Sequence, residues 1–418
     1  MTADLAVAHV HRSFFGRTET FIGYYLANLR RVRPICISLH SPIVGADVFQ
    51  INPLDCYGAG RAGPRRYSPR WFCRGVRRRL MRLMRGRQYP AQLSPRLLRW
   101  AQAILARRNV RLLHAHFGPV AWEVLPLRRA VGIPLVTSFY GYDVASDLAS
   151  EGPEWPSRRQ QLFEEGDLFL VEGPFMRQRM VELGCPAEKV QIQRIAVKTD
   201  EIPFAPRKPR QGGAVLAFVG RFTEKKGLMY ALQAVREVRR SGREIEFRII
   251  GDGGLTDQVL TYIRENSLEG CVRLLGFLDH PECLRQLQDA DIFVHPSVIA
   301  ANGDCEGGAP TIIIEAQALG MPVVSTWHCD IPNVTLPGES AILVPERDSA
   351  RLADALVYLL DHPEKWEEMG RAGRSHVEKH HNIDREVTAL EEKYFRLACG
   401  ATQPMAFPCA ASASGESA

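Results

Sequence analysis

Short apolar runs recur along this chain, each ending at a glycine or polar loop and followed by a stretch of helical spacing. Residues 5–10 and 34–39 are the first two, with Phe21, Ile22, Tyr25, Leu26 and Leu29 at helical spacing between them. Residues 112–117, 134–139, 167–171 and 190–195 continue the series. Residues 214–219, 247–250, 272–275, 292–295, 321–326 and 341–344 begin a second one. Strand, loop, helix, strand at this spacing is a βαβ unit, and a connection of that length demands parallel pairing. Between the two series, PFAPRKPRQGG at 203–213 has the composition of a linker. The expected fold is α/β, with two doubly wound Rossmann-like domains facing across a cleft. Residues 1–205 would form the N-terminal domain, 206–213 the linker and 214–380 the C-terminal domain. Residues 381–398 would be a helix returning to the N-terminal domain, and 399–418 a disordered tail.

Composition narrows the functional class. At 418 residues, 45% apolar and 24% charged, the chain reads as an ordinary globular protein of two or three domains. The start, MTADLAVAHVHRSFF, has neither a basic leader nor a sustained apolar core, and no run approaches the ~20 apolar residues that span a bilayer. Ten cysteines occur without a C-x-x-C pair or Cys/His ligand spacing, which predicts reduced cytoplasmic thiols rather than disulfides or zinc.

Charge is distributed unevenly. Residues 61–111 hold 16 arginines and no Asp, Glu or Lys. Within them, Trp71, Phe72, Val76, Leu80, Leu83 and Met84 can share one helical face flanked by arginine. A basic amphipathic helix with aromatic anchors suits an anionic membrane surface. Arginine also tracks nucleic-acid phosphates, but no recognition motif accompanies it, so no nucleic-acid partner is expected. A solvated basic face is the plain alternative.

In an open parallel sheet, ligands bind beyond the carboxyl ends of the strands. His114, His116, Tyr140 and Asp143 fall there in the first series, as ligand contacts or as packed structural groups. In the second, Arg221 and Lys226 lie in a loop between a strand and a helix N-terminus, a geometry suited to a diphosphate. That loop matches neither the Walker loop nor G-x-G-x-x-G, which disfavours a nicotinamide dehydrogenase. Residues 303–326, GDCEGGAPTIIIEAQALGMPVVST, read as a glycine loop, a buried helix entered through Pro310 and ended by Gly320, and an interior strand. Glu306 stands in that loop and Glu315 on that helix, with Gly307 and Gly308 able to offer backbone N–H groups to a hydroxyl-rich ligand.

Together GRFTEKKG, IIGDGG, ADIFVHPS and EGGAPTIIIEAQALGMPVVST resemble the C-terminal domain of retaining glycosyltransferases of family 4. RTETFI, HAHFG, FYGYDV and EGPFMRQRMVELGCPAEKVQIQRIAV add matches closest to the exopolysaccharide, colanic-acid-type branch, and the resemblance covers roughly residues 1–398. It implies the GT-B fold, a nucleotide-sugar (UDP or GDP) donor in the interdomain cleft, and no metal ion or other cofactor. It further implies that Arg221 and Lys226 bind the donor diphosphate and that Glu315 accepts hydrogen bonds from the ribose hydroxyls. Glu306 would contact the donor sugar near the reacting carbon, helped by the N–H groups of Gly307 and Gly308. Gly16 would approach the diphosphate, and Tyr140, Asp143 and His116 would line the substrate side.

Two positions depart from the family pattern. Eight residues separate Glu306 from Glu315 where the family has seven. Tyr140 stands where the family carries a histidine; tyrosine donates the same kind of hydrogen bond but does not titrate near neutrality. The resulting expectation is a hexosyltransferase-type enzyme that extends a lipid-linked oligosaccharide in surface polysaccharide assembly. It would be cytoplasmic, held peripherally at the inner face of the plasma membrane by the 61–111 segment. A soluble acceptor, or a catalytically silent sugar-nucleotide-binding scaffold, is the alternative.

Overall fold

The computed structural model describes residues 5–14, 20–41, 43, 50–59, 91–145 and 152–400. Gly16, the aromatic-and-arginine face around Trp71 to Met84, and the tail from 401 lie outside them. Thirteen strands are described, in two sheets. The first is ordered β3-β2-β1-β4-β5-β6-β7 and the second β10-β9-β8-β11-β12-β13. The first comprises β1 (Leu5–His11), β2 (Val32–Ser38), β3 (Cys56–Gly58), β4 (Val110–His116), β5 (Leu135–Ser138), β6 (Leu168–Val171) and β7 (Val190–Ile192). The second comprises β8 (Ala214–Val219), β9 (Ile245–Ile250), β10 (Val272–Gly276), β11 (Ile292–His295), β12 (Val323–Thr326) and β13 (Ala341–Val344). β1 pairs in parallel with β2 and β4, and β8 with β9 and β11. In each sheet the chain therefore winds outward one way, returns to the middle and winds the other way, which is the doubly wound order. The edge strand β3 has no sequence counterpart above, because three residues carry no readable period.

The described residues of Met1–Ser138, Leu148–Phe169 and Leu390–Ala418 make one compact unit, and those of Phe139–Asp147 and Leu170–Ala389 the other. In the first unit, the helix Pro95–Arg107 buries Ala101, Ile104 and Leu105 and leaves Arg96, Arg99 and Arg107 exposed. The described end of the basic segment is thus an amphipathic helix whose apolar side is already packed. No helix among the described residues is long and apolar enough to cross a membrane. The closing helix, Ile383–Gly400, contributes Glu391, whose carboxylate accepts the N–H groups of Arg30 and Arg31 at 2.7 Å each.

Alternation along β1 and β4 aims His9, His11, His114 and His116 into the interior of this unit, all buried. His9 Nδ1 and His116 Nε2 share a hydrogen bond of 3.1 Å, and His114 Nε2 bonds Ser138 Oγ at 2.8 Å. Two histidines on one strand here pack against a third. Burial, then the neighbouring imidazoles, hold His9, His114 and His116 well below the usual histidine range, and burial pushes His11 down to about 4. A depressed folded pKa means that the unfolded chain takes up protons first, so stability is full above about pH 6.5 and falls as the pH drops below it. By pH 5 each such histidine withdraws up to about 2 kcal/mol. Melting temperature should therefore fall steeply between pH 7 and pH 5, and a flat profile would contradict this placement.

The second unit packs Leu228, Ala231, Leu232, Val235 and Val238 of the helix Leu228–Arg240 against Leu216, Phe218, Phe247 and Ile249 of β8 and β9. Each such large side chain contributes about 1.5–3 kcal/mol on burial. The expected face of that helix is the one observed. The helix Thr311–Ala318 is buried nearly throughout, as its composition requires. Pro310 sits at its N-cap with φ −59° and ψ 124°, one residue ahead of the first turn rather than inside it.

Candidate functional site

The order of the second sheet reverses between β8 and β11, so the loops after these two strands diverge and leave room for a ligand. The loop after β8 runs through Arg221 to Lys226 and enters the helix Leu228–Arg240 at Gly227. Gly227 has φ +70°, and a Cβ there would lie 1.7 Å from the carbonyl oxygen of Pro296. Only glycine permits this approach, which sets Lys226 beside the loop after β11.

That approach organises the charged groups. Lys226 Nζ donates to Glu306 Oε2 at 2.8 Å, and Ser297 Oγ donates to Glu306 Oε1 at 2.9 Å. The Glu306 N–H donates to His328 Nε2 at 3.2 Å. The Lys226 and Glu306 side chains are 15% and 7% exposed, so the pair is largely dry and its attraction little screened. Burial is the largest single influence and would raise the Glu306 carboxyl, but Lys226, His295 and Lys225 together outweigh it and hold the group well below the usual carboxylate range. His295 Nε2 stands 3.9 Å from Glu306 Oε1, too far for a direct hydrogen bond, and burial keeps that imidazole low. A negative oxygen, a fixed ammonium and a hydroxyl converge here.

The backbone of Glu306 is held as firmly as its side chain. Gly307 has φ +75°, and a Cβ on it would fall 2.0 Å from Gly141 Cα. A Cβ on Gly308 would meet Glu172 Oε2 at 1.7 Å. Burial, then the Asp330 carboxylate, pushes the Glu172 carboxyl well above its usual range. The turn containing Gly141 is closed by Asp143, whose Oδ1 accepts the Tyr140 N–H at 3.0 Å.

Sequence candidates fall in several places. Lys226, Glu306, Gly307 and the Tyr140–Asp143 turn are brought together, with Gly308 against Glu172. Glu315 is buried on its helix and Glu315 Oε1 lies 2.8 Å from His280 Nε2, which raises the His280 pKa. A buried carboxylate needs such a partner. Arg221 stands exposed in the loop after β8. His116 belongs to the other compact unit, packed against His9.

Residues 213–362 match the family described as Glycosyl transferases group 1, and residues 45–193 match the Glycosyl transferase 4-like domain. The amylovoran biosynthesis glycosyltransferase AmsK of Erwinia amylovora is 35% identical over 320 residues, which span 74% of this chain and 76% of AmsK. WcaL of Escherichia coli strain K12, named for colanic acid biosynthesis, is 38% identical over 287 residues, 66% of this chain and 69% of WcaL. The chain is a family 4 glycosyltransferase. Its fold is GT-B: the structure of Anabaena HepE in complex with UDP-glucose superposes with a TM-score of 0.70 at 13% identity, covering 94% of this chain and 100% of HepE.

In this glycosyltransferase the sequence reading missed the residues that hold the candidates in place. Ser297 and His295 stand at the end of β11 within ADIFVHPS, and His328 follows β12. All three sit at or just beyond strand carboxyl ends, the same signal that singled out Tyr140 and Asp143. Lys225, next to Lys226, is buried, and its Nζ donates to Asp304 Oδ1 and to the Cys305 carbonyl, both at 3.0 Å. His280 gave no signal, because its pairing with Glu315 spans 35 residues.

Proposed function

We propose that this glycosyltransferase moves a sugar from a UDP- or GDP-sugar to a lipid-linked oligosaccharide in exopolysaccharide assembly, with retention of anomeric configuration. The Lys226–Glu306 pair at the reversal point of the second sheet carries this reading. Likeness to AmsK and to WcaL supports the exopolysaccharide assignment. The arginine-rich segment at 61–111 supports an anionic membrane surface as the place where acceptor and enzyme meet.

The chemistry follows from charge. Cleaving the bond between the anomeric carbon and the phosphate oxygen leaves positive charge on the sugar and negative charge on the departing phosphate. Lys226 and Arg221 stabilise that phosphate as the charge develops, without reorganising. Glu306 holds the sugar near the reacting carbon, and its carboxylate favours the cationic ring. Glu315 takes the ribose hydroxyls. The acceptor hydroxyl adds from the face that the phosphate leaves, and its proton passes to the departing phosphate oxygen. No protein base is required, so Tyr140 serves as well as histidine in orienting the sugar.

The test is transfer to a lipid-linked oligosaccharide from a donor of known anomeric configuration, with the product linkage read by NMR. The same configuration in product and donor is expected. An inverted product contradicts retention, and equal transfer to a free sugar in solution contradicts the lipid-linked acceptor.

A further inference from the structure

Beside Glu306 lies a second group of side chains that the transfer reaction does not use. Cys305, immediately before Glu306, His328 and Cys329 offer ligand atoms that all lie within 4.8 Å of one another. Cys305 and His328 are buried, and Cys329 is half-buried, which leaves one side open to solvent. Cys329 Sγ is 3.2 Å from His328 Nε2. His328 Nδ1 is bound to Glu346 Oε1 at 2.6 Å, so the proton sits on Nδ1 and Nε2 is the acceptor nitrogen, beside Cys329 Sγ and bonded by the Glu306 N–H. A carboxylate that fixes the far nitrogen is how ligating histidines are oriented at metal centres.

We infer that Cys305, His328 and Cys329 form a binding site for a soft transition-metal ion of the zinc class, and that filling it opposes transfer. Two thiolates and a neutral imidazole are the soft three-ligand set that zinc takes with a fourth position open, and two thiolates balance its charge. Zinc–sulfur bonds of about 2.3 Å put tetrahedral sulfurs about 3.8 Å apart, so the two sulfurs, within 4.8 Å of each other, close by about 1 Å at most. Cys305 and the His328–Cys329 pair are over twenty residues apart in sequence, and no short-range ligand spacing announces them. Occupation has a cost for the neighbouring chemistry. The metal takes the Nε2 lone pair that now accepts the Glu306 N–H, and drawing Cys305 inward shifts Glu306 away from Lys226 and Ser297. The opposition to transfer rests on the role of Glu306 given above; metal binding itself does not.

The full-length reduced protein, titrated with Co2+ under nitrogen, tests binding directly. One equivalent should develop tetrahedral visible bands and a near-ultraviolet thiolate-to-metal band, both erased by Zn2+. Cys305→Ser and Cys329→Ser should each lose the thiolate band, and Cys283→Ser, on the helix His280–Gln288, should keep it. Glu346→Gln should keep the bands but weaken affinity about 10–100-fold. Absence of the bands, their persistence in both serine variants, or loss of the thiols to a disulfide in place of metal uptake would overturn the site. In a parallel assay, stoichiometric Zn2+ should suppress transfer by the wild type and leave Cys329→Ala unaffected. Full wild-type transfer with the cobalt bands present would overturn the opposition while leaving the site.

Discussion

Lys226→Ala lowers turnover at least ~100-fold, the usual scale for losing one charge contact made to the transition state. Its ammonium is held by Glu306 at 2.8 Å in a largely dry site, so the charge is in place before any phosphate departs. Removal also leaves the Glu306 carboxylate buried without its cation, and such a loss destabilises the fold by about 3–5 kcal/mol where both groups are fully desolvated. The two effects separate by measuring melting temperature and turnover together, with Lys226→Arg as the partner variant. Arginine restores the charge and the ion pair but not the single-point geometry, so it should recover stability more fully than turnover. Near wild-type turnover in Lys226→Ala would remove Lys226 from the reaction.

Gly307→Ala has the second large effect, on stability and activity at once. The positive φ of +75° costs an alanine about 1–2 kcal/mol. The added Cβ falls 2.0 Å from Gly141 Cα, backbone that cannot yield as a flexible side chain does, and overpacking of this kind adds about 1–3 kcal/mol. At about 2–4 °C per kcal/mol for a domain of this size, the melting temperature drops by roughly 4–20 °C. Transfer is lost because Glu306 moves with its neighbour. Gly303→Ala is the control: it has φ +81° but nothing within 4 Å of the added Cβ. It should pay only the conformational penalty and keep transfer. Equal losses in the two variants would show that the Gly141 contact is unimportant.

The parts legible in the sequence were the locally encoded ones. β8 and β11 announced themselves as apolar runs of four to six residues, and the helix Leu228–Arg240 by its 3.6 period. Lys226 and Glu306 were legible as candidates because glycine-flanked charged residues follow strands. Their mutual hydrogen bond was not, since 80 residues of chain separate them. The same holds for Gly141 against Gly307 and for Glu315 with His280: pairing across a fold depends on which strands neighbour each other, and no local pattern states that order. His114 and His116 show the reverse limit. Alternation put both on one face of β4, but only the pairing of β1 beside it shows that His116 shares a hydrogen bond with His9.

Donor binding and turnover test the central claim most directly. The protein, its Lys226→Ala variant and its Glu315→Gln variant are each incubated with UDP-sugars and GDP-sugars, and nucleotide release is followed together with thermal stabilisation. One donor should stabilise the wild type and release nucleotide when acceptor is added. Lys226→Ala should release it at least ~100-fold more slowly. Glu315→Gln should bind the donor more weakly, because its carboxylate no longer takes the ribose hydroxyls. Absence of stabilisation and of release with every donor would contradict the assignment of this site as the place where a nucleotide-sugar is bound and cleaved.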